Sequence, residues 1–247
     1  EISASQKLSS FRNKNKDYLF PSFPTISGTG PNGAIIHYRA SKKTNLQIKK
    51  GDIYLVDSGG QYKFGTTDVT RTISLKNSDN RIKSIFTRVL KGHIAVANFN
   101  LKKNTTGAQI DKEARKFLKK IGLDYAHGTG HGVGYFLNVH EGPQSISKNN
   151  NTSFCEGMVI SNEPGYYEKN NFGIRIENLI YVKKKKNKKI FENLTMAPIE
   201  KELLEINLLN HKEKKWINDY HQKVFKNLKS SMYKNDLIEL KKACSAI

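Results

Sequence analysis

Apolar residues recur along this chain with two different periods. Between residues 79 and 100 they fall at helical spacing, at Ile82, Ile85, Phe86, Val89, Leu90, Ile94 and Val96, which predicts a helix with His93 packed inside it. A weaker helical pattern covers 107–120, opening at Thr106-Gly-Ala-Gln-Ile-Asp. From Glu200 onward the pattern is helical again, through Leu203, Leu204, Leu208, Leu209, Trp216, Ile217, Tyr220 and Val224. Residues 1–16, with Ile2, Leu8 and Phe11 among polar positions, predict an amphipathic helix that Phe20-Pro-Ser-Phe-Pro24 breaks.

Strand signals lie between these helices. After the turn-rich Ser27-Gly-Thr-Gly-Pro-Asn-Gly33, the segment Ala34-Ile-Ile-His-Tyr38 predicts a short strand with His37 at its end, where an ordinary packed histidine is one reading. The apolar run Ile53-Tyr-Leu-Val56 reads as a buried strand that stops abruptly at Asp57, and residues 66–73 read as a second strand. A hairpin centred between Tyr62 and Lys63 sets Asp57 opposite Asp68, with Cβ atoms about 4.5–5.5 Å apart. Like charges so placed are destabilising unless a cation lies between them. Residues 156–167 form a strand ending in Glu163, and residues 172–182 its partner. On that partner Arg175, Glu177, Leu179 and Tyr181 share one face, so Arg175 is one counter-charge open to Glu177 and a metal is another. Leu194-Thr-Met-Ala-Pro-Ile199 reads as a last strand.

Composition narrows the classes. The chain has 247 residues and 37% hydrophobic content, enough for one large domain or two small ones. It lacks an apolar run long enough for a membrane span and a secretory signal pattern, and its two cysteines, Cys155 and Cys244, form no metal or redox motif. A reduced, cytoplasmic protein is the simple expectation, with no membrane partner. The net charge of +20 raises nucleic acid as a partner. The excess is thinly spread lysine, however. Its densest run, residues 183–189, lies between two strand-like segments without interleaved aromatics, so a solvated hairpin tip is expected and nucleic acid is set aside. The opening at Glu1, without a methionine, fits a fragment or a processed form.

The chemistry concentrates in His127-Gly-Thr-Gly-His131-Gly-Val-Gly-Tyr-Phe-Leu-Asn-Val-His140, which holds three of the seven histidines among four glycines. Glycines at this density point to a backbone that bends sharply or is closely approached. Histidines on such a backbone suit metal binding or proton transfer. The stretch fails the GxGxxG and P-loop spacings, and Gly128 replaces the glutamate of a zinc-protease helix. Asp57, Asp68, Glu163 and Glu177, gathered around His131, would repel strongly. Two divalent cations about 3.5–4 Å apart, bridged by carboxylates and a water-derived hydroxide, would offset that charge. The oxygen-rich set suits manganese, with cobalt or zinc as alternatives.

These five residues, in the order Asp, Asp, His, Glu, Glu, resemble the ligand pattern of the pita-bread metallopeptidases. Phe23-Pro-Thr-Ile-Ser-Gly-Thr-Gly-Pro-Asn-Gly-Ala-Ile-Ile-His37-Tyr, Val56-Asp-Ser-Gly-Gly-Gln-Tyr, Thr66-Thr-Asp-Val-Thr-Arg-Thr, His127-Gly-Thr-Gly-His-Gly-Val-Gly and Asn162-Glu-Pro-Gly-Tyr-Tyr are similar to the Xaa-Pro aminopeptidase (aminopeptidase P) branch. The resemblance implies an α+β pita-bread fold, a curved antiparallel sheet covered by helices. It covers residues 1–228 as a catalytic domain and thins beyond, leaving 229–247 as a lysine-rich, partly ordered helical tail. The N-terminal domains usual in the family, which help form the substrate mouth and often a homodimer, are expected to be missing from this stretch.

The resemblance also implies roles. Asp57 holds one metal, Asp68 and Glu177 bridge both, and His131 and Glu163 hold the other. A bridging hydroxide attacks the carbonyl before proline. Glu163 shuttles the proton to the leaving nitrogen, and His140 stabilises the oxyanion. His37 and His127 line the proline pocket. Arg175 orients Glu177 from behind, with Tyr167 beside it. The implied substrates are peptides with proline at the second position. A prolidase acting on Xaa-Pro dipeptides, a methionine aminopeptidase and a non-catalytic binding module on the same fold are the alternatives.

Overall fold

The computed structural model describes residues 1–76 and 79–247. Helix α1 (Ile2–Arg12) leads into β1 (Tyr18–Pro21) and β2 (Ile26–Thr29). The next strands are β3 (Ile53–Ser58), β4 (Gly60–Tyr62), β5 (Gly65–Thr66) and β6 (Val69–Ser74). Helices α2 (Asn80–Ala97) and α3 (Gly107–Lys119) follow. The second half holds β7 (Gly130–Val133), β8 (His140–Ile146), β9 (Val159–Asn162), β10 (Gly165–Glu168), β11 (Phe172–Arg175), β12 (Asn178–Lys185) and β13 (Lys188–Asn193). Helices α4 (His211–Leu228) and α5 (Lys234–Ala243) close the chain. Among the described residues every strand pair is antiparallel, and the two larger sheets run β2-β3-β6 and β13-β12-β9-β7-β8. This is the expected α+β architecture.

The helices begin where local chemistry starts them. Asp79 accepts the backbone N–H groups of Arg81 and Ile82 at the front of α2, and Thr106 with Gln109 forms a capping box on α3. The buried face of α2 (Ile85, Phe86, Val89, Leu90) packs in one core with Ile174 and Ile176, and with Ile217, Tyr220 and Val224 of α4. Each such side chain contributes roughly 1.5–3 kcal/mol by leaving water. Among the described residues no helix is long and apolar enough to cross a membrane.

Five expectations change. Residues 34–38 are not a strand. The strand is upstream at β2, and Gly30, with φ +50°, starts a 3-10 turn over Gly30–Ala34 that leaves His37 in a following turn. The hairpin turns between Lys63 and Phe64, because Tyr62 pairs with Gly65, so Asp57 faces Thr70 and not Asp68. The single strands foreseen over 156–167 and 172–182 are each two, β10 pairing with β11 and β9 with β12, and the second is interrupted at Ile176 and Glu177. Residues 194–199 lie outside the ladder. Arg71 takes the carbonyls of Ala197 and Pro198, Pro198 has no N–H to offer, and the strand is β13 instead. The last long helix begins at His211 and not Glu200, because Asn210 and Glu213 form its capping box.

Two other outcomes concern lysines. The run at 183–189 is the exposed tip of the β12–β13 hairpin, as expected, closing at Lys185 opposite Lys188. The C-terminal segment forms α5 and packs back, with Leu240 buried in the main core and Ile247 N–H donating to Asn218.

Candidate metal centre and active site

Strand ends from both larger sheets converge on one cavity of about 290 Å³. Asp57 comes from β3, Asp68 precedes β6, His131 lies in β7, Glu163 follows β9, and Glu177 sits in the break between β11 and β12. All five line the cavity, and so do His37, His127, His140 and Arg175. Tyr167 stands behind them, touching His127 and Arg175.

The glycines of the histidine stretch serve close approach within a strand. A Cβ on Gly130 would lie 1.9 Å from the Ser161 carbonyl, and one on Gly132 would lie 2.0 Å from that of Glu141. Neither position has positive φ. Glycine there lets β7 sit tightly between β8 and β9 and carry His131 into the cavity.

The ligand-type atoms of Asp68, His131 and Glu177 lie within 4.8 Å of one another. His131 Nε2 is 3.4 Å from Asp68 Oδ2 and 3.5 Å from Glu163 Oε1. His131 Nδ1 meets its neighbour's carbonyl, Gly132 O, at 2.8 Å, which makes Nδ1 the donor and leaves the Nε2 lone pair facing the carboxylates. Ser161 ties the two elements together: it accepts the N–H of His131 at 2.9 Å and donates to Glu163 Oε1 at 3.0 Å.

Burial pushes the carboxyls of Asp68 and Glu177 well above the usual range. Asp57 and Glu163 add to this at Asp68, and Asp68 and Glu163 add to it at Glu177. Burial also raises Glu163, against the pull of His131 and Arg175. Four carboxylates line this cavity, and Arg175 pairs with Asp57 among them. Asp57 Oδ1 is buried with no hydrogen-bond partner. A lone pair and an open carboxylate oxygen, set among carboxylates that resist ionisation, fit divalent cations. Among the described residues these donors are oxygen-rich with one imidazole, the set hard or borderline metals take.

His127 and His140 are both pushed toward the neutral form. Burial, then Arg175, lowers His127 to about 4, and burial followed by His131 and His37 lowers His140. His127 Nδ1 donates to Gly128 O at 2.7 Å, so its Nε2 accepts from Tyr167 OH at 2.9 Å. Burial pushes that phenol up to about 12, which keeps its proton in place. The His140 ring is centred 3.9 Å from that of His131, at the exposed edge of the cavity.

Arg175 departs from its expected contact. It forms no ion pair with Glu177, its neighbour along the chain. Its Nη2 donates to Asp57 Oδ2 at 2.7 Å, its Nη1 to Tyr167 OH at 2.5 Å and its Nε to Thr70 Oγ1 at 3.1 Å. Sequence reasoning also passed over Arg115. Paired with Asp111 on α3 in a buried bridge, it donates to the carbonyls of Tyr125 and His127 and so anchors the front of the histidine stretch. The i, i+4 spacing of Asp111 and Arg115 was the available signal.

Residues 1–184 match metallopeptidase family M24, and residues 190–247 match the C-terminal region of peptidase M24. A probable Xaa-Pro aminopeptidase P of Laccaria bicolor is 47% identical over 261 aligned residues, covering 100% of this chain and 40% of that protein. Aminopeptidase P2 of Arabidopsis thaliana is 46% identical, over 91% of this chain and 33% of its own length. The crystal structure of X-prolyl aminopeptidase from Caenorhabditis elegans, a cytosolic enzyme with a di-nuclear active site, superposes with a TM-score of 0.95 at 37% identity, covering 100% of this chain and 42% of that one. Prolidase from Pyrococcus furiosus superposes less closely, with a TM-score of 0.72 at 31% identity over 80% of this chain and 56% of that one. The chain thus spans 40% or less of the length of these curated relatives. With residues 1–184 and 190–247 matching the two family regions and the ligand-type residues gathered in one cavity, the chain belongs to metallopeptidase family M24.

Proposed function

We propose that this chain is the catalytic part of a dinuclear-metal aminopeptidase that hydrolyses the bond between an N-terminal residue and a following proline. The observation that carries the reading is the meeting of Asp57, Asp68, His131, Glu163 and Glu177 in one cavity. The similarity to aminopeptidases P over the whole chain supports the substrate class.

In this reading the five residues hold two divalent cations, manganese foremost, with zinc or cobalt as alternatives. When bound, such a pair polarises the scissile carbonyl and acidifies a water for attack. Glu163, held by Ser161 at the cavity wall, takes the proton of that water and returns it to the leaving proline nitrogen. His140, a neutral imidazole, donates a hydrogen bond to the developing oxyanion. His37 and His127, with Phe23 and Ile36, line the space that receives the proline ring. Tyr167 keeps His127 oriented by donating to Nε2. A cytoplasmic location is part of the proposal, supported by the cytosolic relative from C. elegans.

The test is hydrolysis of Arg-Pro-Pro by the purified chain with manganese, with Gly-Pro as the control, before and after chelation. Free arginine whose release stops on chelation is the expected result. Cleavage of Gly-Pro alone would make the protein a prolidase. Neither cleavage nor bound metal would leave only a non-catalytic role.

A further inference from the structure

Thr70 stands directly opposite Asp57 in the β3–β6 ladder and is fully buried. Its hydroxyl is committed on both sides. Oγ1 accepts from Arg175 Nε at 3.1 Å and donates to Glu177 Oε2 at 2.8 Å. A guanidinium can only donate, so the single hydroxyl hydrogen must go to the other partner, which is the carboxylate. This fixes the direction of the relay from Arg175 through Thr70 to Glu177. The backbone repeats the link, since the Thr70 carbonyl accepts the N–H of Glu177 at 3.2 Å. Two residues along β6, the Thr72 hydroxyl accepts Arg175 N–H and donates to Arg175 O, each at 3.0 Å. Thr72 thereby grips the backbone of Arg175, and Thr70 grips its side chain.

We propose that Thr70 is a positioning residue for the metal-binding carboxylate Glu177, carrying the orientation of Arg175 to it through one hydroxyl. The inference rests on the reading of Asp57, Asp68, His131, Glu163 and Glu177 as metal ligands. One guanidinium then orients two ligands: Asp57 by direct contact, and Glu177 by way of Thr70. A hydroxyl suits this task because it is both acceptor and donor. Valine has the same shape and the same strand preference, but it would leave Arg175 Nε and Glu177 Oε2 without their shared partner.

The experiment compares wild type, Thr70→Val and Thr70→Ser as metal-stripped proteins, titrated with manganese alone by calorimetry, with thermal unfolding of each apo form alongside. Thr70→Val is expected to bind manganese roughly 10–100-fold more weakly, as loss of a partner behind a ligand does, and Thr70→Ser to stay within about twofold of wild type. Thr70→Ala, which also lacks the hydroxyl, replaces the valine variant if that does not fold. Wild-type binding by the hydroxyl-free variant overturns the inference and leaves the metal reading standing. Equal weakening in the serine variant also overturns it, because packing and not the hydroxyl would then be responsible. Failure of the wild type to bind manganese removes the metal reading and this inference with it.

Discussion

Arg175 Nη2 lies 2.7 Å from Asp57 Oδ2, while Asp57 Oδ1 is buried with no hydrogen-bond partner. One oxygen of the carboxylate is thus clamped by a guanidinium with almost no exposure, and the other carries no hydrogen bond, on a residue that lines the cavity. A ligand held in this way meets a cation already oriented, with little side-chain freedom left to lose.

Removing Arg175 leaves Asp57 as a buried charge without its counter-ion. Arg175→Met is expected to lower the stability of the metal-free protein by about 3–5 kcal/mol in urea unfolding. Arg175→Lys should not restore it, because Arg175 serves Asp57, Tyr167 and Thr70 from one planar fork. A lysine variant as stable as wild type would contradict the clamp.

Asp68 is the buried carboxylate nearest His131 Nε2 in the proposed site. Asp68→Asn exchanges its charge for a neutral amide, so bound metal and hydrolysis of Arg-Pro-Pro should disappear together. Metal analysis of the purified variant beside its assay decides this, and full activity would sink the two-metal reading.

His140 lines the cavity at its exposed edge. His140→Ala is therefore expected to keep its metal and lose about 10²–10³ in turnover, as removal of one oxyanion donor does. An unchanged rate would take His140 out of the mechanism.

Burial and mutual repulsion raise Asp68 and Glu177, so the metal-free site holds protons at a pH where free carboxyls have lost them. Metal binds only the ionised forms, so binding must expel those protons and affinity must rise with pH. Calorimetry with manganese at one pH, in two buffers of different ionisation heat, should give different apparent enthalpies. Equal enthalpies would mean no proton leaves.

His221 supplies a separate pH effect, away from the cavity. Burial, followed by Lys201 and Arg71, lowers it to about 4, and its Nε2 accepts the N–H of Ile199 at 3.1 Å. The unfolded histidine titrates near 6.5. Between those values the unfolded chain carries a proton the folded chain lacks. Stability from this group is therefore complete above about 6.5 and falls as pH drops toward 4, by up to ~1.4 kcal/mol per pH unit. Urea midpoints at pH 7 and 5 should show a shallower pH dependence in His221→Gln than in wild type. Identical dependence would mean that His221 is not held neutral.

Much of the site was legible in the residues before any coordinates. Asp57 ends an unbroken apolar run, His131 lies between glycines, and Glu177 interrupts an apolar stretch. Each is an anomaly visible within a few residues, because a buried charge or a crowded backbone conflicts with its immediate neighbours. The α2 helix was equally plain, since its period is local. Register and pairing were not. A hairpin centred one residue earlier satisfies the same alternation, because it slips the pairing by two residues and keeps every side chain on its own face. Only the turn at Lys63 and Phe64 sets Asp57 against Thr70. In the same way, sequence proximity offers Glu177 as the partner of Arg175, whereas the fold brings Asp57 from 118 residues away. Ligand types and strand ends are written in short-range patterns. Which carboxylate meets the guanidinium, and which hydroxyl joins it to the next, depends on long-range packing that no local pattern encodes.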